Sequence, residues 1–169
     1  HGPGRALERG DAFRSTAGGT CPGDPAACLF QNRDAGTAAK IRALIETASD
    51  AIEGPLDGEE SITLMPDLDA GATGSMSSAL LPELIKPVIE HHRAGDRDKA
   101  ATQYARILPL INYENRQCGL RAAKTVMMEG GVITSDAVRH PLEPLHPETR
   151  KGLLELARSL DVMALRWGR

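Results

Sequence analysis

Apolar residues recur at helical spacing through most of the chain after residue 36. In TAAKIRALIETA, Ile41, Leu44 and Ile45 share one face of a helix that Thr37 is suited to begin. Similar stripes run through SITLMPDLDAG, ALLPELIKPVIEHHRAG, DRDKAATQYARILPLINYENRQ, LRAAKTVMMEGG and ETRKGLLELARSLD. Most of these segments reach a glycine, the usual residue just beyond a helix end. The pattern therefore predicts six helices.

Two short stretches between the first three helices break this period. SDAIEGPLDGEE predicts a brief strand near Asp50–Glu53, followed by turns at Gly54-Pro55 and Asp57-Gly58. ATGSMSS, residues 72–78, predicts a second strand of small residues. Helices that alternate with short strands are typical of βα units in a parallel sheet, and the later helices form an appendage to it.

The first segment, residues 1–36, is unlike the rest. It is rich in Gly, Pro, Arg and Ala and shows neither a helical nor a strand period. Such a segment buries too little apolar surface to offset its loss of conformational entropy. We expect it to be disordered.

Composition excludes several classes of partner. The formal charge of −3 gives no electrostatic basis for binding nucleic acid, and 3% aromatic residues are too few for base stacking. No apolar run approaches the roughly 20 residues of a membrane span. The three cysteines form no Cys-x-x-Cys pair, which favours unpaired thiols in the cytoplasm.

Other charged groups predict surface roles. The acids Asp57, Glu59 and Glu60 suit a turn that leads into a helix better than they suit a site for a hard cation. His91 and His92 point about 100° apart on a helix, so they cannot share a metal ion. Every lysine falls on a predicted helix, with no reason for a lowered pKa: Lys40, Lys86, Lys99, Lys124 and Lys151.

Two motifs carry a resemblance to a known family. Leu68–Ser77 (LDAGATGSMS) has a Leu-x-x-Gly-x-x-Gly-x-x-Ser pattern, and residues 139–145 have an Arg-x-Pro-x-x-Pro-Leu pattern before the last helix. In order and spacing, residues 37–167 resemble the C-terminal half of the dihydrodipicolinate synthase / N-acetylneuraminate lyase family. Within the family, one stretch looks most like the bacterial sugar-acid branch, such as 2-keto-3-deoxy-L-arabonate dehydratase: NYENRQCGLRAAKTVMMEGGVITSDAVRHPL.

The resemblance implies an α/β fold, the C-terminal part of a (β/α)8 TIM barrel. Residues 37–95 would form its last βα units with strands 7 and 8, and residues 96–169 a helical region. Members of this family act on an α-keto acid, which condenses with a lysine on strand 6 to give an iminium. The resemblance implies a homo-oligomeric lyase or dehydratase for a 2-keto-3-deoxy sugar acid, with no metal or organic cofactor.

Few site residues carry over from the family. Gly54 would lie at the end of strand 7, and Met76 and Ser77 in strand 8, where they would form a wall against the substrate. For Ser77 a packing role in a tight strand is the alternative. Leu29–Asn32 stand where the strand-6 lysine belongs, so no catalytic residue is assigned, and we expect the chain as written to be inactive.

The first 36 residues have two interpretations. If their codons are read one base downstream, they permit Met-Val-Gln-Asp-Ala-Pro-Leu-Ser near His1 and Phe-Lys-Ile-Glu-Met-Pro from Phe30 onward, both similar to the family. A frameshift with the frame recovered near Gly36 is one hypothesis, and a genuine extension is the other.

A non-catalytic role also remains open at this point, as a helical folding or oligomer-contact module. Two parallel strands are not independently stable, so we expect the helices from Leu80 onward to hold their structure while the strands exchange freely.

Overall fold

The computed structural model describes residues 30–31, 36–48 and 54–168. Three short strands and six helices alternate and then give way to helices alone. In chain order they are β1 (Phe30–Gln31), α1 (Thr37–Ala48), β2 (Pro55–Asp57), α2 (Leu64–Asp69), β3 (Gly74–Ser75), α3 (Pro82–Arg93), α4 (Arg97–Tyr113), α5 (Arg121–Glu129) and α6 (Pro147–Ser159).

The six predicted helices are confirmed. Gly71 and Gly95 follow α2 and α3 with φ angles of +104° and +80°, values that glycine adopts without strain. Pro82 and Pro147 begin α3 and α6, where a missing backbone N–H costs nothing. These local signals are why the helix ends could be placed from the sequence.

The sheet differs from the expectation. It contains three parallel strands in the order β1-β2-β3, with Phe30 opposite Pro55 and Asp57 opposite Ser75. The predicted turn at Gly54-Pro55 and Asp57 is wrong, because β2 occupies Pro55–Asp57. The strand expected near Asp50–Glu53 lies outside the described residues.

The expected disorder of residues 1–36 is also wrong for Phe30–Gln31, which pair with β2. Residues 1–29 and 32–35 lie outside the described residues. A strand beside β2 also corrects the expectation that only two strands of the sheet are present.

The helices enclose a single apolar core. Leu64 and Leu68 of α2 pack under the sheet, and α3, α4, α5 and α6 extend the core away from it. The side chains with no more than 1% of their surface exposed include Ile41, Leu80, Leu81, Val88, Ile107, Leu110, Ile111, Val126 and Leu153. Burial of each such side chain contributes about 1.5–3 kcal/mol, so this core is the main source of stability.

The end of α4 departs from regular helix. Residues 114–118 form one π-helical turn, which closes with a 2.7 Å hydrogen bond from the Gly119 N–H to the Glu114 carbonyl. A π turn is wider than an α turn, and such turns often occur at functional sites. This one buries both Glu114 and Cys118.

Candidate active site

The carboxyl ends of β2 and β3 lie side by side. Asp57 and Ser75 are register partners, and the next N–H along, that of Met76, donates to the Asp57 carbonyl at 2.9 Å. The Met76 side chain is 45% exposed, and Ser77 after it is half-buried. The structure therefore brings two of the predicted site residues, Met76 and Ser77, to this edge of the sheet.

Gly54 is not part of that edge. It precedes β2, with φ of +56°, and a Cβ atom at this position would lie 2.3 Å from the Thr73 side chain. The expectation that Gly54 ends a strand is wrong, because Gly54 lies immediately before β2, which begins at Pro55. Its glycine is explained by the close approach of Thr73 and by the positive φ.

A buried carboxyl lies at the end of β2. Asp57 has no exposed surface, and Ser75 donates to its Oδ2 at 2.6 Å. Because that donation commits the Ser75 proton, the 2.5 Å contact between the Ser61 and Ser75 hydroxyls has Ser61 as donor. Asp57 was expected in an exposed acidic turn, so this interpretation is wrong for Asp57.

Burial raises the pKa of Asp57 to about 8. The Ser75 hydroxyl opposes the rise in pKa because it stabilises the carboxylate, whereas the neighbouring Asp67 carboxyl adds to it. Asp57 therefore holds its proton at neutral pH.

The second carboxyl, Asp67, is also fully buried. Thr37 of α1 donates to its Oδ1 at 2.6 Å, and Thr63 donates to its Oδ2 at 2.9 Å. The same Thr63 Oγ1 lies 3.5 Å from Asp57 Oδ1, so it stands between the two carboxyls. We call Thr37, Asp57, Ser61, Thr63, Asp67, Ser75 and Tyr104 the carboxyl cluster.

The loop that leads from β2 to α2 is held in an unusual conformation. Glu60 and Ser61 have φ angles of +56° and +72°, which cost energy for residues other than glycine. Tyr104 of α4 donates from its hydroxyl to the Ile62 carbonyl at 2.6 Å, with the Ser61 carbonyl at 3.0 Å. Burial, followed by the charge of Asp57, raises the pKa of Tyr104 to about 12, so this hydroxyl keeps its proton.

A third buried acid, Glu114, lies near the residues that follow β3. Burial raises its pKa to about 7, the Ser78 hydroxyl lowers it by hydrogen bonding, and the charge of Glu60 raises it. Ser78 in turn accepts a 3.0 Å hydrogen bond from the Leu80 N–H. A carboxyl whose pKa is raised to about 7 thus lies beside Ser78, the residue after Ser77.

The sequence did not reveal the buried acids. Asp67 carries the clearest missed signal, because it lies on the apolar face of α2 with Leu64 and Leu68. An acid at such a position is normally paired or protonated.

Within residues 30–31, 36–48 and 54–168, no three His, Cys, Asp or Glu side chains converge on a point that could hold a metal ion. In the same part of the chain, no helix is long and apolar enough to cross a membrane.

Comparison with known sequences decides the family. Residues 35–160 match the dihydrodipicolinate synthetase family. The chain belongs to this family. It is also 53% identical over 138 residues to an L-2-keto-3-deoxyarabonate dehydratase of Azospirillum brasilense, a match that covers 82% of this chain and 45% of the relative. The resemblance stated from the sequence is confirmed.

Solved structures of the family share the fold. Dihydrodipicolinate synthase from Rhodopseudomonas palustris superposes with a TM-score of 0.69 at 27% identity, over 78% of this chain and 46% of that one. The enzyme from Aquifex aeolicus gives 0.70 at 20% identity, over 79% and 45%. An N-acetylneuraminate lyase from Aliivibrio salmonicida gives 0.62 at 22%, over 80% and 44%. The chain spans about half the length of each relative.

Proposed function

We propose that this chain is part of a Schiff-base lyase that removes water from a 2-keto-3-deoxy sugar acid. The observation that carries the proposal is the 53% identity to L-2-keto-3-deoxyarabonate dehydratase over most of this chain. The fold supports it, because the carboxyl ends of parallel strands are where barrel enzymes bind their substrates. In this interpretation β2 and β3 are strands 7 and 8 of the barrel.

Met76 and Ser77 are then the substrate-facing wall. Met76 follows β3 with 45% of its side chain exposed, and its backbone is fixed by the bond to Asp57. The Ser77 hydroxyl makes only a 3.5 Å contact with the Ser78 carbonyl, so a substrate could replace that contact at little cost. Gly54 contributes indirectly, through its close packing on Thr73.

We further propose that the chain as written does not catalyse the reaction. In the order β1-β2-β3, β1 occupies the place of strand 6, and it consists of Phe30 and Gln31. A Schiff base requires an unprotonated amine, and the amide of a glutamine is not a nucleophile. The family's lysine therefore has no equivalent in β1.

The chain itself and a chimera test these statements, each beside a control. The chain itself, incubated with pyruvate and borohydride, should show no mass increase, whereas the Azospirillum brasilense dehydratase should show the reduced adduct. A chimera, in which residues 37–169 replace the matching part of that dehydratase, should form the adduct and dehydrate L-2-keto-3-deoxyarabonate. Its control carries glutamine in place of the Schiff-base lysine.

The outcomes separate the two proposals. An adduct on the unaltered chain, or turnover by it, refutes the proposed inactivity. A chimera that folds and forms the adduct but turns over no 2-keto-3-deoxy sugar acid refutes the proposed substrate class. The frameshift hypothesis is tested independently, by reading the codons for residues 1–36 one base downstream.

A second candidate function has one observation in its favour. Leu120 and Trp167 are large apolar side chains that are 77% and 70% exposed. A non-catalytic chain could use these side chains for contact with other copies, and an active family member could use them to form a homo-oligomer. Light scattering on a protein with Leu120→Ser and Trp167→Ser would detect either, because the assembled mass should fall.

A further inference from the structure

We propose that Asp57 and Asp67 hold one proton between them, and that this shared proton positions the strand ends that carry Met76 and Ser77. That the strand ends belong to a catalytic site rests on the proposed function. The shared proton itself does not.

The two buried carboxyls lie together, without a counter-charge among the described residues. Both have no exposed surface, and one hydroxyl, that of Thr63, is 2.9 Å from Asp67 and 3.5 Å from Asp57. The ion pairs formed among the described residues engage other acids and include neither of these two. Two adjacent buried carboxylates without a cation repel each other, so one of them remains protonated.

The hydrogen bonds of the two carboxyls indicate which of them carries the proton. Both oxygens of Asp67 accept hydrogen bonds from hydroxyls, Oδ1 from Thr37 and Oδ2 from Thr63. Asp57 accepts from Ser75 at 2.6 Å and has the Thr63 hydroxyl 3.5 Å from its Oδ1, while Ser61 and Asp67 also lie near enough to act on its pKa. The proton is therefore assigned to Asp57, because both oxygens of Asp67 already accept from hydroxyls, whereas Asp57 Oδ1 has only the Thr63 hydroxyl at 3.5 Å.

Side chains from three other elements also face the aspartate pair. α1 contributes the hydroxyl of Thr37, β3 that of Ser75, and α4 that of Tyr104. Of these only Tyr104 titrates, and its pKa is raised to about 12, so it stays neutral below that pH. Glu60, in the same loop, acts on Glu114 instead. Within the carboxyl cluster, the proton on the aspartate pair is the one that neutral and mildly alkaline pH can remove.

Asp57 connects the proton to the strand ends. Asp57 is bound to β3 twice, through its side chain to Ser75 and through its carbonyl to the Met76 N–H. Its loop contains two residues with positive φ, whose strain the surrounding hydrogen bonds must offset. Loss of the proton would place two negative charges in the cluster, so the loop would relax and the bond to Met76 would weaken.

The test uses the chain itself and measures its unfolding midpoint by circular dichroism from about pH 5 to about pH 9. A carboxyl with a raised pKa stabilises the fold fully below its ordinary pKa of 3.8, and this contribution is lost as pH rises towards about 8. The parent midpoint should therefore fall by up to about 5 °C per pH unit and then level off.

Asp67→Asn is the decisive variant. Its amide N–H can donate to an ionised Asp57, so the hydrogen bond survives without the titrating proton. The fall in midpoint between about pH 5 and about pH 8 should shrink, and Asp67→Ala should be less stable than the parent at about pH 5. If Asp67→Asn fails to fold, Asp57→Asn tests the same loss of the titrating proton, because it replaces the other carboxyl of the pair.

Two controls isolate the pair. Asp98→Asn changes an exposed acid on α4 that lies outside the carboxyl cluster, and it should leave the slope between about pH 5 and about pH 8 unchanged. Because Glu114 also titrates near pH 7, each protein is measured again with Glu114→Gln.

Two resonance measurements complete the test. In the parent, labelled with ¹³C at the aspartate carboxyls, one resonance should titrate far above the ordinary range and vanish in Asp57→Asn. The amide of Met76, corrected for intrinsic exchange, should lose protection above about pH 8 in the parent but not in Asp67→Asn. The proposal would be overturned if the parent and Asp67→Asn had equal slopes, or if no aspartate resonance titrated far above the ordinary range. It would also be overturned if the protection of the Met76 amide did not depend on the proton. An inactive chimera would leave these results unaffected.

Discussion

Removal of the Tyr104 hydroxyl should destabilise the fold more than removal of any exposed hydroxyl. Tyr104→Phe keeps the buried ring in the core and deletes only the donor to the Ile62 and Ser61 carbonyls. A net hydrogen bond contributes about 0.5–1.5 kcal/mol, and a buried acceptor left without a donor costs about 1–3 kcal/mol. Because Ser61 also has a positive φ that these bonds help to hold, we expect a loss of about 2 kcal/mol.

Urea denaturation followed by circular dichroism measures this loss. For an urea dependence of about 2 kcal/mol per molar, the midpoint should fall by about 1 M with no change in slope. Tyr113→Phe is the matched control, because its hydroxyl makes a longer bond, 3.3 Å, to the Thr149 carbonyl in a half-buried position. The control should lose about 0.5 kcal/mol or less.

The comparison has a clear negative result. If Tyr104→Phe and Tyr113→Phe shift the midpoint equally, the Tyr104 hydroxyl does not restrain the loop. A change in slope for Tyr104→Phe alone would indicate that the loop unfolds separately from the rest.

Three further predictions concern single groups. Hydrogen bonding to Arg97 lowers the pKa of Asp69 to about 2, so its stabilisation is full above about pH 4 and is lost as pH falls towards 2. Asp69→Asn should abolish this loss of stability at acid pH. If the dependence of the unfolding midpoint on pH is unchanged in the variant, the ion pair with Arg97 does not stabilise the fold. The raised pKa of Glu114 means that its contribution falls as pH rises from 4.5 to about 7, so Glu114→Gln should flatten the unfolding midpoint over that range. Gly54→Ala should cost more than about 2 kcal/mol, since its Cβ would lie 2.3 Å from a threonine side chain, whereas Gly95→Ala, with open space around it, should cost about 1 kcal/mol. Equal losses would argue against the close approach at Gly54.

The helices were predictable because their signals are local. The stripe in α4 that includes Ala100, Ile107 and Ile111 is buried as expected, and glycines stop the helices where the sequence places them. Family membership could also be predicted, since it rests on the order and spacing of motifs such as Leu68–Ser77.

The strands and the polar interior could not be predicted in the same way. β2 contains a proline and an aspartate, which are poor strand residues, and it is extended because β1 and β3 pair with it on both sides. The burial of Asp57 depends on Ser75, which lies 18 residues away, and on α1 and α4, which cover the cluster. Such contacts exist only once the chain has folded, so no short window of sequence reports them.

The carboxyl cluster also bears on how the molecule opens. Its members come from α1, the sheet, α2, the loop before α2 and α4, and three of its hydrogen bonds join residues that are 18 to 42 positions apart in the chain. A segment that detached would leave buried hydroxyls and carboxyls without partners in the segments that remained. Fraying of one strand is therefore costly, and the sheet and α4 should open together as one cooperative unit. Amides in β2 and in the middle of α4 should then share a common opening free energy, although the sequence alone suggested that the strands would exchange freely.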